Sequence, residues 1–390
     1  MIIGLVGKPS SGKSTFFNAA TLANVPVSPR PFTTIKPNTG TAYVRVEDAG
    51  PELGVVSNPR TGFIIGKTRY TPFTLMDVAG LVPGAHEGRG LGNQFLNDLN
   101  QAHALIHIVD FSGSMDEDGN FIGYGKHDPE RDILFLEEEL NLWYFDVIKR
   151  NLEKMQRMRR AGKKSMEIIM EILSSFRVFE HMAEGVVREY GEIEEWNEEK
   201  IKEIAKNLRM QTKPTVIAAN KIDLPSAKEN YERLKEKYKN IIPCSAEAEL
   251  ALRRASKAGM IEYAPGESDF KIVGNLSEEQ KEALEKIKES VLKPFGNTGV
   301  QQTLDYAIFG LLEYKAVFPV GEKLRDKEGR VLPDCFLLEK NATVYDLAMR
   351  IHSDIAKGLL YGFDVKTKRK LAKDAVLKER DVVELVSTAK

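Results

Sequence analysis

The stretch Gly7-Lys8-Pro9-Ser10-Ser11-Gly12-Lys13-Ser14 decides how this chain is read. It fits G-x-x-x-x-G-K-[ST], with the apolar run Ile2–Val6 before it and a helical pattern, Ser14–Leu22, after it. Phosphates are bulky and anionic. A loop that wraps them needs glycine's backbone freedom and inward-pointing N–H groups. Gly12 and Lys13 open the helix, whose positive end favours phosphate. The candidate nucleotide-binding residues here are Lys8, Pro9, Ser10, Ser11, Gly12, Lys13, Ser14 and Thr15. Lys13 is expected to reach the β- and γ-phosphates, and Ser14 to hold Mg²⁺. The loop alone says no more than nucleoside triphosphate.

Further along, Phe73–Asp77, Ala104–Phe111, Pro214–Asn220 and Asn240–Cys244 are short apolar runs of the kind buried in a parallel sheet. Helical patterns such as Leu91–Ala102 follow several of them, which is the rhythm of an α/β fold. Three of these runs end in residues with chemistry. Asp77-Val78-Ala79-Gly80 offers a carboxylate to Mg²⁺ and a glycine N–H to the γ-phosphate. Asn220-Lys221-Ile222-Asp223 places a carboxylate where guanine N1–H and N2–H₂ can donate to it; adenine lacks the 2-amino group. Ser245-Ala246-Glu247 supplies amides for guanine O6. Upstream, Pro31-Phe32-Thr33-Thr34 carries hydroxyls that suit a switch loop, with Thr34 the preferred Mg²⁺ ligand. The expected catalytic set is Lys13, Thr34 and Gly80, and the expected metal set is Ser14, Thr34 and Asp77.

About a hundred residues separate Phe111 from Pro214, far more than the dozen or so that a crossover requires. Apolar residues at three- and four-residue steps, from Ile133 to Phe179, predict a helical hairpin turning at Ala161-Gly162-Lys163. A third helix is expected near Asn197–Leu208. After Val317 the texture changes to short strands around one helix, Thr343–Ile355. The expected organisation is a split P-loop domain (1–111 and 207–316), a helical insertion (112–206) and a small α+β domain (317–390).

Composition bounds this reading. The 390 residues carry a net charge of −1 with 29% charged side chains, which excludes a uniformly basic protein but not a local basic patch. Two cysteines exclude a disulfide scaffold and a Cys-rich zinc site. No apolar run approaches the ~20 residues of a membrane span, and the first residues read as a core strand, so a cytoplasmic protein with no membrane partner is expected.

The ordered set GKPSSGKS, PFTT, DVAGL, NKID and CSA resembles the translation-factor-class GTPases of the Obg family. Phe32–Gly40 is similar to that family's switch segment, and the glycine-rich Gly84–Leu96 to its second switch. The insertion and terminal domain are similar to those of the YchF-like branch, which implies a coiled-coil insertion and a C-terminal β-grasp TGS domain. The run DCFLLEKNATVYDLAMRIH looks more like the TGS domain of the developmentally regulated GTP-binding proteins. Two departures stand out. Many YchF-like proteins favour ATP and have Asn-x-x-Glu where Asp223 stands here, and many relatives have Asn, linked to potassium activation, at the position of Ser10. The resemblance implies slow, Mg²⁺-dependent hydrolysis of GTP to GDP, because a hydrophobic residue, Leu81, stands where Ras-like GTPases orient water with glutamine. An activating protein could supply the missing group. YchF-type ATP hydrolysis and a scaffold with little turnover are the alternatives.

Lys149, Arg150, Lys154, Arg157, Arg159, Arg160, Lys163 and Lys164 crowd one end of the hairpin, opposed only by Glu153. Such a tip can neutralise RNA phosphates, which points to the ribosome or its RNA as partner. Lys366, Lys368, Arg369, Lys370 and Lys373 form a second cluster, and the acidic Glu192–Glu199 conceals the first in the net charge.

Overall fold

The computed structural model describes residues 1–22, 38–78 and 98–388. Thr34, Gly80, Leu81 and the glycine-rich stretch after them lie outside these residues. The chain divides into two compact units, Met1–Gly40 with Thr74–Thr303, and Thr41–Phe73 with Leu304–Lys390.

In the first unit, β1 (Ile2–Val6) pairs in parallel with β4 (Thr68–Asp77) and with β5 (Ala104–Asp110). Then β5 pairs with β6 (Thr215–Asn220), and β6 with β7 (Ile241–Pro243), again in parallel. The order is therefore β4-β1-β5-β6-β7. All seven residues of β5 are buried, which is why these strands read as unbroken apolar runs. The register sets Leu5 beside Asp77 and Asp110 beside Asn220. The C-terminal ends of the strands thus meet on one edge, where α/β sheets bind ligands.

Helix α1 (Lys13–Thr21) follows β1. The insertion is built from α2 (Pro129–Arg160), α3 (Ser165–Ile172), α4 (Glu180–Tyr190) and α5 (Glu198–Thr212). Asp128 caps α2 by accepting from the Glu130 amide, and Pro129 takes the first turn. Arg157, Arg159 and Arg160 complement the dipole at its other end. The predicted turn at residues 161–163 does join α2 to α3. The third helix expected near residues 197–208 is α5, and α4 is one more than the sequence suggested: α2 packs along α5, and α3 against α4. Trp143, Tyr144 and Phe176 pack edge-on or tilted against one another at its centre, with ring centroids 4.1–5.5 Å apart. One hydrophobic cluster runs from Val6, Met76 and Leu105 of the sheet into Leu136, Trp143, Ile169 and Leu208 of the insertion.

In the second unit, β3 (Phe63–Ile65) pairs antiparallel with the first half of β4, and β2 (Asn38–Glu47) lies on β4. The numbering continues with β8 (Ile261–Glu262) and β9 (Lys271–Ile272), a small ribbon of the first unit. The rest of the second unit is a sheet of order β11-β10-β14-β12-β13, from β10 (Lys315–Val320), β11 (Phe336–Leu338), β12 (Leu359–Asp364), β13 (Arg369–Leu371) and β14 (Val382–Ser387). Thr343 and Asp346 form a capping box at its helix, Val344–Ile351. The helix predicted to continue to Ile355 breaks at His352, which is extended, and a short helix, Ser353–Lys357, follows. Within the same unit Arg69 is 1% exposed and donates to the carbonyls of Leu332 and Pro333 at 2.6 and 2.7 Å.

Candidate functional site

The loop between β1 and α1 is shaped by its glycines. A Cβ on Gly7 would sit 2.5 Å from the Ile108 carbonyl oxygen, so the chain can pass there only without a side chain. Gly12 has φ +96°, and Ser10 also adopts the left-handed region, at φ 61°. No side chain caps α1 and no acidic residue lies in its first turn. Its leading N–H groups, which have no acceptors within the helix, are left for a ligand.

Lys13 Nζ lies 2.5 Å from Asp77 Oδ1 at the end of β4. Asp77 is fully buried, and its Oδ2 has no hydrogen-bond partner among the described residues. The orphaned carboxylate oxygen at the end of β4 and the Ser14 hydroxyl in the first turn of α1 are hard-oxygen donors, the kind that fits Mg²⁺.

Asn220 ties the site together. Its Nδ2 donates to the Ser11 carbonyl at 2.8 Å and its Oδ1 accepts from the Ala246 amide at 3.0 Å. One buried side chain thereby links the phosphate loop to the Ser245-Ala246 loop. Lys221, at φ 62°, reaches Asp110 Oδ2 at 2.9 Å. Asp110 also accepts from Ser112 and Ser114. Burial pushes the Asp110 carboxyl up, but Lys221 and the hydroxyls outweigh it and hold it below the usual range. Asp223 is exposed and has no hydrogen-bond partner among the described residues. Ser245 Oγ accepts from the Ala248 amide at 3.3 Å, capping the helix Ala246–Lys257. Cys244 lies buried beneath this loop, and burial pushes its thiol well above the ordinary range.

Lys8 points away from the loop it belongs to. Its ammonium forms an ion pair with Asp132 in the first turn of α2, at 2.8 Å, and donates to the Met115 carbonyl at 3.1 Å. His127 Nε2 lies 2.8 Å from the other Asp132 oxygen. His107 is buried nearby; desolvation pushes it down to about 4, so it stays neutral at pH 7. Gly119 at φ +84° brings the segment after β5 against Pro9 and Ser10, where a Cβ would be within 3.0 Å of both. Asp132, Asp110, Thr298 and Glu249 escape sequence reading, because their partners lie tens to more than a hundred residues away and no local pattern joins them.

The cationic tip is mixed. Lys149 pairs with Glu198 at 3.0 Å, Arg159 with Glu192 at 3.0 Å, and Lys163 with Glu171. Arg150, Lys154, Arg157, Arg160 and Lys164 are exposed and form no ion pair among the described residues. Spacings of three and four residues put Arg150, Lys154, Arg157 and Arg160 along one side of α2. Among the described residues, no helix is long and apolar enough to cross a membrane.

Three family descriptions match successive parts of the chain: 50S ribosome-binding GTPase (residues 2–139), the G4 motif-containing domain of the YGR210-like Obg-like GTPases (218–322) and the TGS domain (316–387). The chain is 43% identical over 396 residues to a GTP-binding protein of Methanocaldococcus jannaschii, with 100% of both covered. It is 29% identical over 372 residues to the ribosome-binding ATPase YchF of Bacillus subtilis, covering 92% of this chain and 86% of that one. A crystal structure of a GTP-binding protein from Pyrococcus horikoshii superposes with a TM-score of 0.80 at 36% identity, with all of both chains covered.

Proposed function

From the premise that this chain belongs to the Obg-like, YchF-related family of P-loop GTPases, we propose that it binds GTP and hydrolyses it slowly to GDP, as a Mg²⁺-dependent switch that associates with the ribosome. The observation that carries the guanine reading is the state of Asn220-Lys221-Ile222-Asp223. Asn220 and Lys221 are committed to protein partners, and the carboxylate of Asp223 is left exposed for the base. Ser14 and Asp77, joined by Thr34 from outside the described residues, would hold Mg²⁺, which neutralises phosphate charge when bound. Lys13, now paired with Asp77, would turn to the phosphates, and the α1 N-terminus would receive them. Gly80 would sense the γ-phosphate through its N–H. With leucine at position 81, turnover is expected at ~10⁻⁴–10⁻² s⁻¹, the range of unassisted GTPases. An activating protein would raise it.

The YchF relative is named an ATPase, which keeps ATP as the second reading. Competition decides between them. GTP should displace a fluorescent guanine nucleotide at concentrations at least a hundredfold below those ATP requires, and equal potency would favour the ATPase. Turnover by the purified chain at tens per second would reject the slow switch. Bound nucleotide with no repeated cycles would favour a scaffold.

For the ribosome, the working surface is the unpaired set Arg150, Lys154, Arg157, Arg160 and Lys164; Lys149, Arg159 and Lys163 are already neutralised. The name of the YchF relative supports the same partner. Reversing the five unpaired charges should abolish ribosome co-sedimentation and leave GTP affinity within twofold of the original. Unchanged sedimentation would remove the insertion from the interaction. The functional division follows 1–111 with 207–316 for nucleotide, 112–206 for the insertion and 317–390 for the TGS domain, in a cytoplasmic protein.

A further inference from the structure

We infer that Thr298 is a positioning residue for the loop that reads the O6 edge of the base, an assignment that rests on the guanine reading above. The loop Cys244-Ser245-Ala246 is closed into a ring by a segment some fifty residues downstream. The Ser245 amide donates to the Thr298 carbonyl at 2.8 Å. The Thr298 hydroxyl donates to Glu249 Oε2 at 2.5 Å. The Glu249 amide donates back to the Ser245 carbonyl at 3.1 Å. Tyr263 OH donates to the same Glu249 oxygen at 2.6 Å and fixes the carboxylate from the far side. Ser245 and Glu249 are 1% exposed and Thr298 is fully buried, so no water competes for these bonds.

The approach of the two segments leaves no slack. Gly299 has φ +81°, and a Cβ there would lie 1.9 Å from the Pro243 carbonyl oxygen. Asn297 Oδ1 accepts from the Gly299 amide at 2.7 Å, which holds the turn. β7 has only three residues and lies at the end of the sheet order, so it cannot orient the loop by itself. Thr298 completes the work: with the Ser245 amide taken, the loop is pinned at one end by Thr298 and at the other by Asn220, through the Ala246 amide. With the Ser245 and Ala246 amides both taken, the Glu247 amide is the one of the Ser245-Ala246-Glu247 set left for the base, and the ring sets its direction. Asp223 reads the 2-amino edge and the ring made by Thr298 sets the O6 edge, so the two edges are separable.

The test uses the full chain with Thr298→Val, which keeps the shape and loses the hydroxyl, and Thr298→Ser, which keeps the hydroxyl. GTP, ITP and ATP each displace a fluorescent guanine nucleotide. ITP retains O6 and lacks the 2-amino group. Thr298→Val should weaken GTP and ITP alike by about tenfold, the size of one charge-assisted hydrogen bond, and ATP by less than twofold. Thr298→Ser should stay within twofold of the original. Glu249→Met keeps the length of the side chain, removes the acceptor oxygen from the other side of the ring and should follow Thr298→Val, which keeps the test available if the valine variant does not fold. The idea is overturned if GTP binds the folded valine variant as tightly as the original chain, or if all three nucleotides weaken together. An original chain that prefers ATP overturns this inference and the guanine reading together. A GTP-preferring original with an indifferent valine variant overturns the inference alone.

Discussion

Asp132→Ala should destabilise the first unit by about 3–5 kcal/mol, the cost of breaking a buried ion pair from one side. The side chains of Lys8 and Asp132 are 7% and 8% exposed. Their contact is an ion pair without hydrogen-bond alignment, and Asp132 is held in place by His127. Removing the carboxylate leaves a buried ammonium with the Met115 carbonyl as its hydrogen-bond partner among the described residues. At roughly 2–4 °C per kcal/mol for chains of this size, the melting temperature should fall by on the order of 10 °C. Lys8→Met combined with Asp132→Leu should recover most of the loss, because no charge is then stranded. Thermal unfolding followed by circular dichroism measures both. A single variant melting within 2 °C of the original would show that the pair contributes little. Lys8 stands in the phosphate loop and Asp132 in the first turn of α2, so the same substitution should also weaken nucleotide binding.

Asn220→Ala should lower affinity for every nucleotide by about a hundredfold or more. The side chain makes two buried hydrogen bonds, to the Ser11 carbonyl and from the Ala246 amide. Each group left without a partner costs about 1–3 kcal/mol, so the two together span roughly two to four decades in affinity. Unlike the Thr298 ring, this bridge reaches the phosphate side, so GTP and ATP should suffer alike. Asn220→Asp retains an acceptor for Ala246 and turns a carboxylate toward the Ser11 carbonyl, so it should recover little. Calorimetric titration with GDP reads the effect. An affinity within threefold of the original, in a folded variant, would deny the bridge its role.

The strands that carry the site were legible because each is an apolar run ending in a residue with chemistry. Ile2–Val6 runs into the phosphate loop and Thr215–Asn220 into the base motif, with boundaries close to those predicted. β2 was not legible. Its residues alternate between buried and open positions over Asn38–Glu47, a weaker signal than the unbroken apolar runs of the buried strands, and the stretch beyond Gly40 drew no assignment. The grouping of Thr41–Phe73 with the C-terminal residues was hidden for another reason: contacts such as Arg69 with Leu332 and Pro333 span more than 260 residues. Part of the tip's charge is compensated in the fold. Glu192, Glu198 and Glu171 belong to other turns of the chain, and folding brings them onto Arg159, Lys149 and Lys163. A local count of cations cannot anticipate that pairing.

The hydrophobic cluster shared by the sheet and the insertion makes the helices a lining rather than an appendage. Excising residues 112–206 to isolate a minimal nucleotide-binding fragment would uncover Met76, Leu99 and Leu105, a contiguous apolar patch of the kind that drives association. Such a fragment should clump during purification, and its inactivity would say nothing about the ribosome. The tip must be silenced residue by residue at its rim, because the scaffold beneath it is also the wall of the nucleotide domain.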